Sequence, residues 1–117
     1  MNVEQVDFVS VPTRDVARAV GFYRDALGLE PGADGEIETP NVTLSFWSPE
    51  RDGEPFVPSV AGIAFRVADV KEACAELERA GGEVVGIEDT GVCHMGFCKD
   101  LDGNTIILHR RYAPHER

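Results

Sequence analysis

Cys93, His94, Cys98 and His109 bring thiol and imidazole groups within seventeen positions of one another. Such sets hold zinc when all the donors converge. Convergence here depends on the intervening Asp100-Leu101-Asp102-Gly103-Asn104, a turn-forming run between two apolar stretches that reads as a hairpin. If Lys99 opposes Thr105, then Phe97 opposes Ile107 and Met95 opposes His109. Alternation then places Cys93, Met95 and Phe97 on one face with Ile107 and His109, and His94 and Cys98 on the other. The four donors are split between two faces unless a bulge near Gly91 or Gly96 re-aims the strand. No metal site is expected from them.

Other side chains offer different chemistry. His109 titrates near neutrality and suits acid/base work or ligand hydrogen bonding; it reads equally as a surface histidine beside Arg110 and Arg111. His94 reads as a hydrogen-bonded, partly buried histidine, and Cys74 and Cys98 as small core hydrophobes. Cys93 shares a face with His109, but nothing supplies the activating geometry of a nucleophilic dyad. Arg66 can meet an anionic group or stand as a rim charge. Trp47, the only tryptophan, can stack on a flat ligand or seal an interface.

The elements that position these residues follow from patterning. Val6 to Val11 reads as a strand, with Val9 and Val11 facing a core and Phe8 and Ser10 facing away. Asp15 caps a helix whose apolar face is Val16, Ala19, Val20, Tyr23, Ala26 and Leu27, ended by Gly28. A loop spans 31–35, and strands are expected at 37–39 and 42–47, with Thr43, Ser45 and Trp47 sharing a face. Residues 49–59 hold three prolines and read as a linker without regular structure. Gly62 to Val67 is a strand; Asp69, with Glu72 three residues on, caps a helix through Val70, Cys74 and Leu77 to Gly81-Gly82. Strands follow at 83–87 and 92–99, then the hairpin and 105–109, with a polar tail at 113–117. The expected core adds Leu44, Phe46, Ile63, Phe65, Val67, Ile106 and Leu108.

At 117 residues the chain is one domain by size, and 43% hydrophobic with 27% charged residues is an ordinary globular mixture. A net charge of −10 argues against a phosphate-binding surface and so against nucleic acid. No run is long enough for a membrane span, and the N-terminus lacks a signal peptide's pattern. Three cysteines outside any motif point to a reducing compartment, so a cytoplasmic location is expected.

The two halves repeat with an offset of 54 residues: Phe8 to Asp15 matches Gly62 to Asp69, and Asp15 to Gly28 matches Asp69 to Gly82. Module one covers about 4–48 and module two about 60–112. Each is a strand, a helix and further strands, with one sheet face covered and one bare.

Asp-capped helices, Phe22-Tyr23, Leu27-Gly28-Leu29 and the Asp-x-Asp-Gly-Asn hairpin together resemble the vicinal oxygen chelate superfamily, which includes glyoxalase I, extradiol dioxygenases, and fosfomycin- and bleomycin-resistance proteins. The resemblance implies an α+β fold of two tandem βαβββ modules forming an open curled mixed sheet around a cleft, often completed by dimerisation. In metal-using members four His or Glu ligands line that cleft. Carried over, their positions here are Phe8, Ser45, Gly62 and Ile107, of which only Ser45 has any donor. Metal-dependent glyoxalase or dioxygenase chemistry is therefore not expected, and no cofactor is assigned.

The expected pocket consists of Phe8, Ser10, Ser45, Trp47, Gly62, Ala64, Arg66, Met95, Phe97, Ile107 and His109, with Thr43 beside them. Gly62 and Ala64 would leave room, and Met95 would adapt to shape. The expectation is a homodimeric, metal-free protein that sequesters a planar or aromatic organic ligand, held by Trp47 and Phe97 and oriented by His109. The acidic envelope would favour a cationic compound; the competing ligand is a small carboxylate gripped by Arg66. The alternative function is a lyase or dioxygenase-type enzyme using His109, His94 or a non-standard metal site.

Overall fold

A computed structural model describes residues 1–114; of the tail expected at 113–117, the last three residues lie outside the described part. The chain divides into two compact units between Val57 and Pro58. The first holds β1 (Phe8–Pro12), α1 (Val16–Leu27), β2 (Glu30–Pro31), β3 (Glu36–Glu38) and β4 (Thr43–Trp47). The second holds β5 (Ile63–Arg66), α2 (Val70–Arg79), β6 (Glu83–Asp89), β7 (Cys93–Lys99) and β8 (Thr105–Arg111). Each is a βαβββ module with a mixed four-stranded sheet, ordered β1-β4-β3-β2 and β5-β8-β7-β6. The fold class is α+β, as expected.

Both helices start where the sequence places a cap. The Asp15 carboxylate accepts from the Arg18 N–H at 3.0 Å and Asp69 from the Glu72 N–H at 3.0 Å, satisfying donors that a helix cannot pair internally. Gly28 ends α1 with φ 65°, a conformation that costs glycine little.

The repeat extends to register. In module one Val9 pairs with Leu44, Ser10 with Ser45 and Val11 with Phe46; in module two Ile63 pairs with Ile106, Ala64 with Ile107 and Phe65 with Leu108. Each position in β1 lies 54 residues before its counterpart in β5. The β7–β8 hairpin has the expected register, Lys99 to Thr105, Phe97 to Ile107 and Met95 to His109.

Each helix covers one face of its own sheet. Module one buries Val11, Ala19, Phe22, Tyr23, Ala26, Ile37, Leu44 and Phe46; module two buries Val70, Cys74, Leu77, Cys98, Ile106 and Leu108. The Tyr23 ring tilts against Phe46 at 4.8 Å and meets Phe22 edge-on at 5.7 Å. Phe22 thus widens the buried stripe of α1, whereas Val16, Val20 and Leu27 are only half-buried. The same holds for Val9, Ile63, Phe65 and Val67. Phe65 is nonetheless more buried than exposed Ala64, so the strand faces are as expected.

Glycines let each helix approach its sheet. A Cβ on Gly96 would lie 2.5 Å from the Cys74 Sγ and 3.2 Å from Val70 Cγ1, and one on Gly35 would lie 3.4 Å from Val16 Cγ1. Val16 and Val70 are repeat partners, so both modules place a glycine beneath the first turn of the helix. Gly96 is therefore a packing residue within regular pairing. The irregularity in this sheet falls on β6 instead, between Val84 and Gly86, and pushes out Val85.

Three further differences are local. Residues 49–52 of the expected linker form a 3-10 turn, Pro49–Asp52. Glu30–Pro31 pairs with β3, shortening the expected loop, and β6 runs two residues further, to Asp89. Among the described residues no helix is long and apolar enough to cross a membrane.

The Asp100–Asn104 turn is a buried polar knot. One Asp100 carboxylate oxygen accepts from the Asp102 and Asn104 N–H groups at 2.9 Å each, and the other from Asn104 Nδ2 at 3.0 Å. Asn104 Oδ1 then accepts from the Ser59 N–H at 2.8 Å, and Thr105 N–H donates to the Ser59 carbonyl at 2.9 Å. The knot thus ties the hairpin to the segment that leads into β5.

Candidate functional site

Pleating presents every second residue of each sheet on the face opposite its helix. In module one that face carries Phe8, Ser10 and Pro12 from β1, Thr43, Ser45 and Trp47 from β4, and Glu36 and Glu38 from β3. Phe8 is 56% exposed and Trp47 40% exposed. Thr43 Oγ1 donates to the Glu38 carboxylate at 2.8 Å. Sequence reasoning had not placed the two glutamates, although alternation from Ile37, 0% exposed, puts both on this face.

In module two the helix-free face is built in rungs. Ala64, Ile107, Phe97 and Gly86 lie side by side across β5, β8, β7 and β6; Arg66, His109, Met95 and Glu88 form the next rung. Cys93 and Arg111 pair beyond them. Ala64 and Arg66 are exposed, and Met95, Phe97, Ile107 and His109 half-exposed. Arg66, Cys93, His109, Arg110, Arg111 and Ala113 line a depression of about 450 Å³. Arg111 was missed, though it lies two positions after His109 on the same strand and so faces the same way.

Gly62 does not leave open room. Its φ is 80°, and a Cβ there would lie 2.9 Å from Thr105 Cγ2 and 3.3 Å from Ile107 Cδ1.

The Cys/His set does not come together. Cys98 is buried beneath α2 with its sulfur 3.9 Å from that of Cys74, in line with a packing role for both thiols. Burial pushes both thiols up, Cys98 to about 12, so they stay protonated and poorly nucleophilic. Among the described residues no three of His, Cys, Asp and Glu form a group suited to a metal ion.

His94 lies on the opposite face from His109, and its side chain is half exposed. Its Nε2 is 3.4 Å from Asp89, and its ring lies 4.8 Å from that of Tyr112. Tyr112 donates its hydroxyl to Asp89 at 2.7 Å, and the Gly91 N–H donates to the same oxygen at 2.9 Å. These two hydrogen bonds hold the Asp89 carboxylate below its ordinary range, and the same Asp89 contact holds the Tyr112 phenol above its own.

Comparison with known proteins assigns the scaffold. The model of the Glyoxalase/Bleomycin resistance protein/Dioxygenase superfamily matches residues 5–108. The chain belongs to that superfamily. No curated protein matches it in sequence.

Solved structures of the superfamily's fold align along nearly the whole chain. One is a family enzyme from Burkholderia phytofirmans PsJN, with TM-score 0.81 and 14% identity over 92% of this chain and 99% of that one. Another is TnmS3, an antibiotic binding protein from Streptomyces sp. CB03234, with TM-score 0.73 and 26% identity over 96% and 99%. A third is a lactoylglutathione lyase from Agrobacterium tumefaciens, with TM-score 0.71 and 17% identity over 92% and 94%.

The resemblance assigns the superfamily's metal positions to Phe8, Ser45, Gly62 and Ile107. Ser10 to Ser45 and Ala64 to Ile107 are repeat-equivalent pairs, so Ser45 stands in module one where Ile107 stands in module two. Phe8 and Ile107 offer no lone pair, and Ser45 offers one neutral hydroxyl. At Gly62 a His or Glu would need a left-handed backbone and would collide with Thr105. These residues do not fit a hard cation or zinc.

Proposed function

We propose that this superfamily member binds a small organic molecule against the helix-free faces of its sheets, without a metal ion, and acts by sequestration rather than turnover. One argument carries the reading: the four positions that the resemblance assigns to chelation hold Phe8, Ser45, Gly62 and Ile107, which are apolar, small or, at Gly62, in a left-handed backbone that suits glycine alone. What those positions offer instead is contact surface. Phe8 and Trp47 in module one, and Phe97, Ile107 and Met95 in module two, are aromatic or apolar and at least partly exposed. Flat apolar groups with a few polar neighbours are the usual lining of an organic-ligand site. The likeness to an antibiotic binding protein supports the same class of activity.

An enzymatic reading draws on His94, whose proximity to Asp89 resembles a carboxylate-oriented base. It is the weaker reading, because His94 and the ligand-like surface of module two occupy opposite sides of one sheet.

The reading is tested with 2-naphthalenemethanol, a neutral flat probe, titrated into the whole protein and followed by amide NMR and Trp47 fluorescence. Saturable shifts in β4, β7 and β8, with the outer surfaces of α1 and α2 unmoved, are expected. Absence of saturable shifts, with Trp47→Ala altering stability alone, would overturn the reading.

A further inference from the structure

The charge placed on the helix-free face of module two is informative because it opposes the chain's balance. The protein carries 21 acidic side chains against 11 Lys and Arg, yet Arg66, His109 and Arg111 on this face, joined by Arg110 from the other side of β8, line one depression with no carboxylate among its described lining residues. Arg66 on β5 is the register partner of His109 on β8, and both side chains leave the same face. Arg66 makes no ion pair among the described residues. Arg111, by contrast, is anchored: its Nε donates to the Ala113 carbonyl at 2.9 Å and a terminal nitrogen to the Pro114 carbonyl at 3.1 Å. Glu88 ends the Arg66–His109–Met95 rung, two strands beyond His109, or about 10 Å by strand spacing. Immediately beside this rung lies the apolar one, Ala64, Ile107 and Phe97.

We infer that module two holds an anion subsite at the end of its apolar surface, and that its ligand is an aromatic carboxylate. The inference rests on the binding reading above and names the ligand class for this face. An uncommitted guanidinium presents two parallel N–H donors that match the two oxygens of a carboxylate. His109 stands beside it as a second donor, and the anchored Arg111 supplies positive potential from a fixed place. The ring of the ligand then lies over Phe97 and Ile107, about one rung, or two residues, back along β8. A phosphate would draw on a second free guanidinium on this face, and none is offered: two of the donors on Arg111 already serve carbonyls, and Arg110 alternates to the opposite face of β8. A solvated rim arginine would show no such preference, and this decides between the two.

The experiment compares 2-naphthoate, 2-naphthalenemethanol and 2-naphthyl phosphate against the whole protein, by calorimetry and amide NMR at low salt. Naphthoate should bind about tenfold tighter than the alcohol, as a charge-assisted pair worth a factor of this order implies. Its added shifts should fall in 64–66 and 107–111, and its advantage should shrink with salt. Arg66→Gln, at an exposed position, should erase the acid's advantage over the alcohol measured on the same variant, with the melting temperature unchanged. Equal affinity of acid and alcohol, or an advantage that survives Arg66→Gln, overturns the subsite and leaves the binding reading standing. A phosphate that binds tighter than naphthoate overturns the carboxylate assignment. Failure of all three compounds to perturb the face overturns both readings.

Discussion

The two modules share a backbone plan and differ in what they do with it. Thr13 donates to the carbonyl of Trp47 at 2.9 Å, and its repeat partner Val67 donates to that of His109 at 3.0 Å. Trp47 and His109 are therefore equivalent positions, as are Pro12 and Arg66. The middle of the helix-free face is polar in module one, with Ser10, Ser45 and Glu36 side by side, and apolar in module two, with Ala64, Ile107 and Phe97. Its end is apolar and aromatic in module one and basic in module two. Duplication supplied one scaffold, and the positions that do not face a helix were free to diverge in opposite directions. The helix-facing positions kept their character: Ile37 and Cys98, both nearly unexposed, occupy the same place.

The modules also close their last hairpins differently, and this difference should be the costliest to disturb. In module two a buried carboxylate, Asp100, accepts three hydrogen bonds, whereas in module one the Thr39 hydroxyl accepts from the Val42 N–H at 3.0 Å and donates to its carbonyl at 2.6 Å in a more exposed turn. Asp100→Ala strands buried donors and should cost about 2–4 kcal/mol, against about 1 kcal/mol for Thr39→Ala. Urea denaturation measures both, and equal losses would show that the turns are equally exposed in practice.

Next in size is the packing glycine. Gly96→Ala drives a methyl group into Cys74 and should cost about 1–3 kcal/mol by overpacking. Adding Cys74→Ala removes the sulfur and should recover part of that loss, a non-additivity that a double-mutant cycle detects. Strict additivity would mean that the helix simply shifts away.

The smallest effect should come from the contact that fastens Tyr112, just after β8, to β6. Tyr112 donates to Asp89, and its N–H bonds the Val92 carbonyl at 3.0 Å. Asp89 titrates below its ordinary value, so its contribution is present above the unfolded pKa near 4 and is lost as pH falls through the folded value. Tyr112 titrates above its ordinary value, so its contribution is present below about pH 10 and is lost as pH rises through the folded value. Tyr112→Phe should therefore be distinguishable from the native protein between these limits and indistinguishable in acid. A difference that persists unchanged at pH 2 would assign the effect to packing.

Much of this plan was legible because it is local. The Asp15 and Asp69 caps sit one turn from the residues they serve, and the β7–β8 register follows from one short turn. What was misread depends on contacts distant in sequence. Gly96 was read as a possible bulge because the neighbours that explain it, Val70 and Cys74, lie on the helix well before it in sequence. Val85 was read as an ordinary strand residue, although adjacent Val84 and Val85 followed by Gly86 already break the alternation. Phe22 escaped the core because Ala19, Tyr23 and Ala26 already complete a narrower stripe. Of the partners of His94, Asp89 is its register neighbour across β6 and β7, and Tyr112 became visible only once the chain beyond β8 returned to Val92. Arg111 needed only the alternation already applied to Ile107 and His109.

Metal analysis of the whole protein, purified without added metal and then equilibrated with Zn²⁺, Ni²⁺, Fe²⁺ and Mn²⁺ in turn, decides whether these sheets work without an ion. With Phe8, Ser45, Gly62 and Ile107 at the chelating positions, the expected result is far less than one equivalent of any of these ions per chain after desalting. One tightly held equivalent per chain, released by substitution at Ser45 or by His94→Ala, would contradict it.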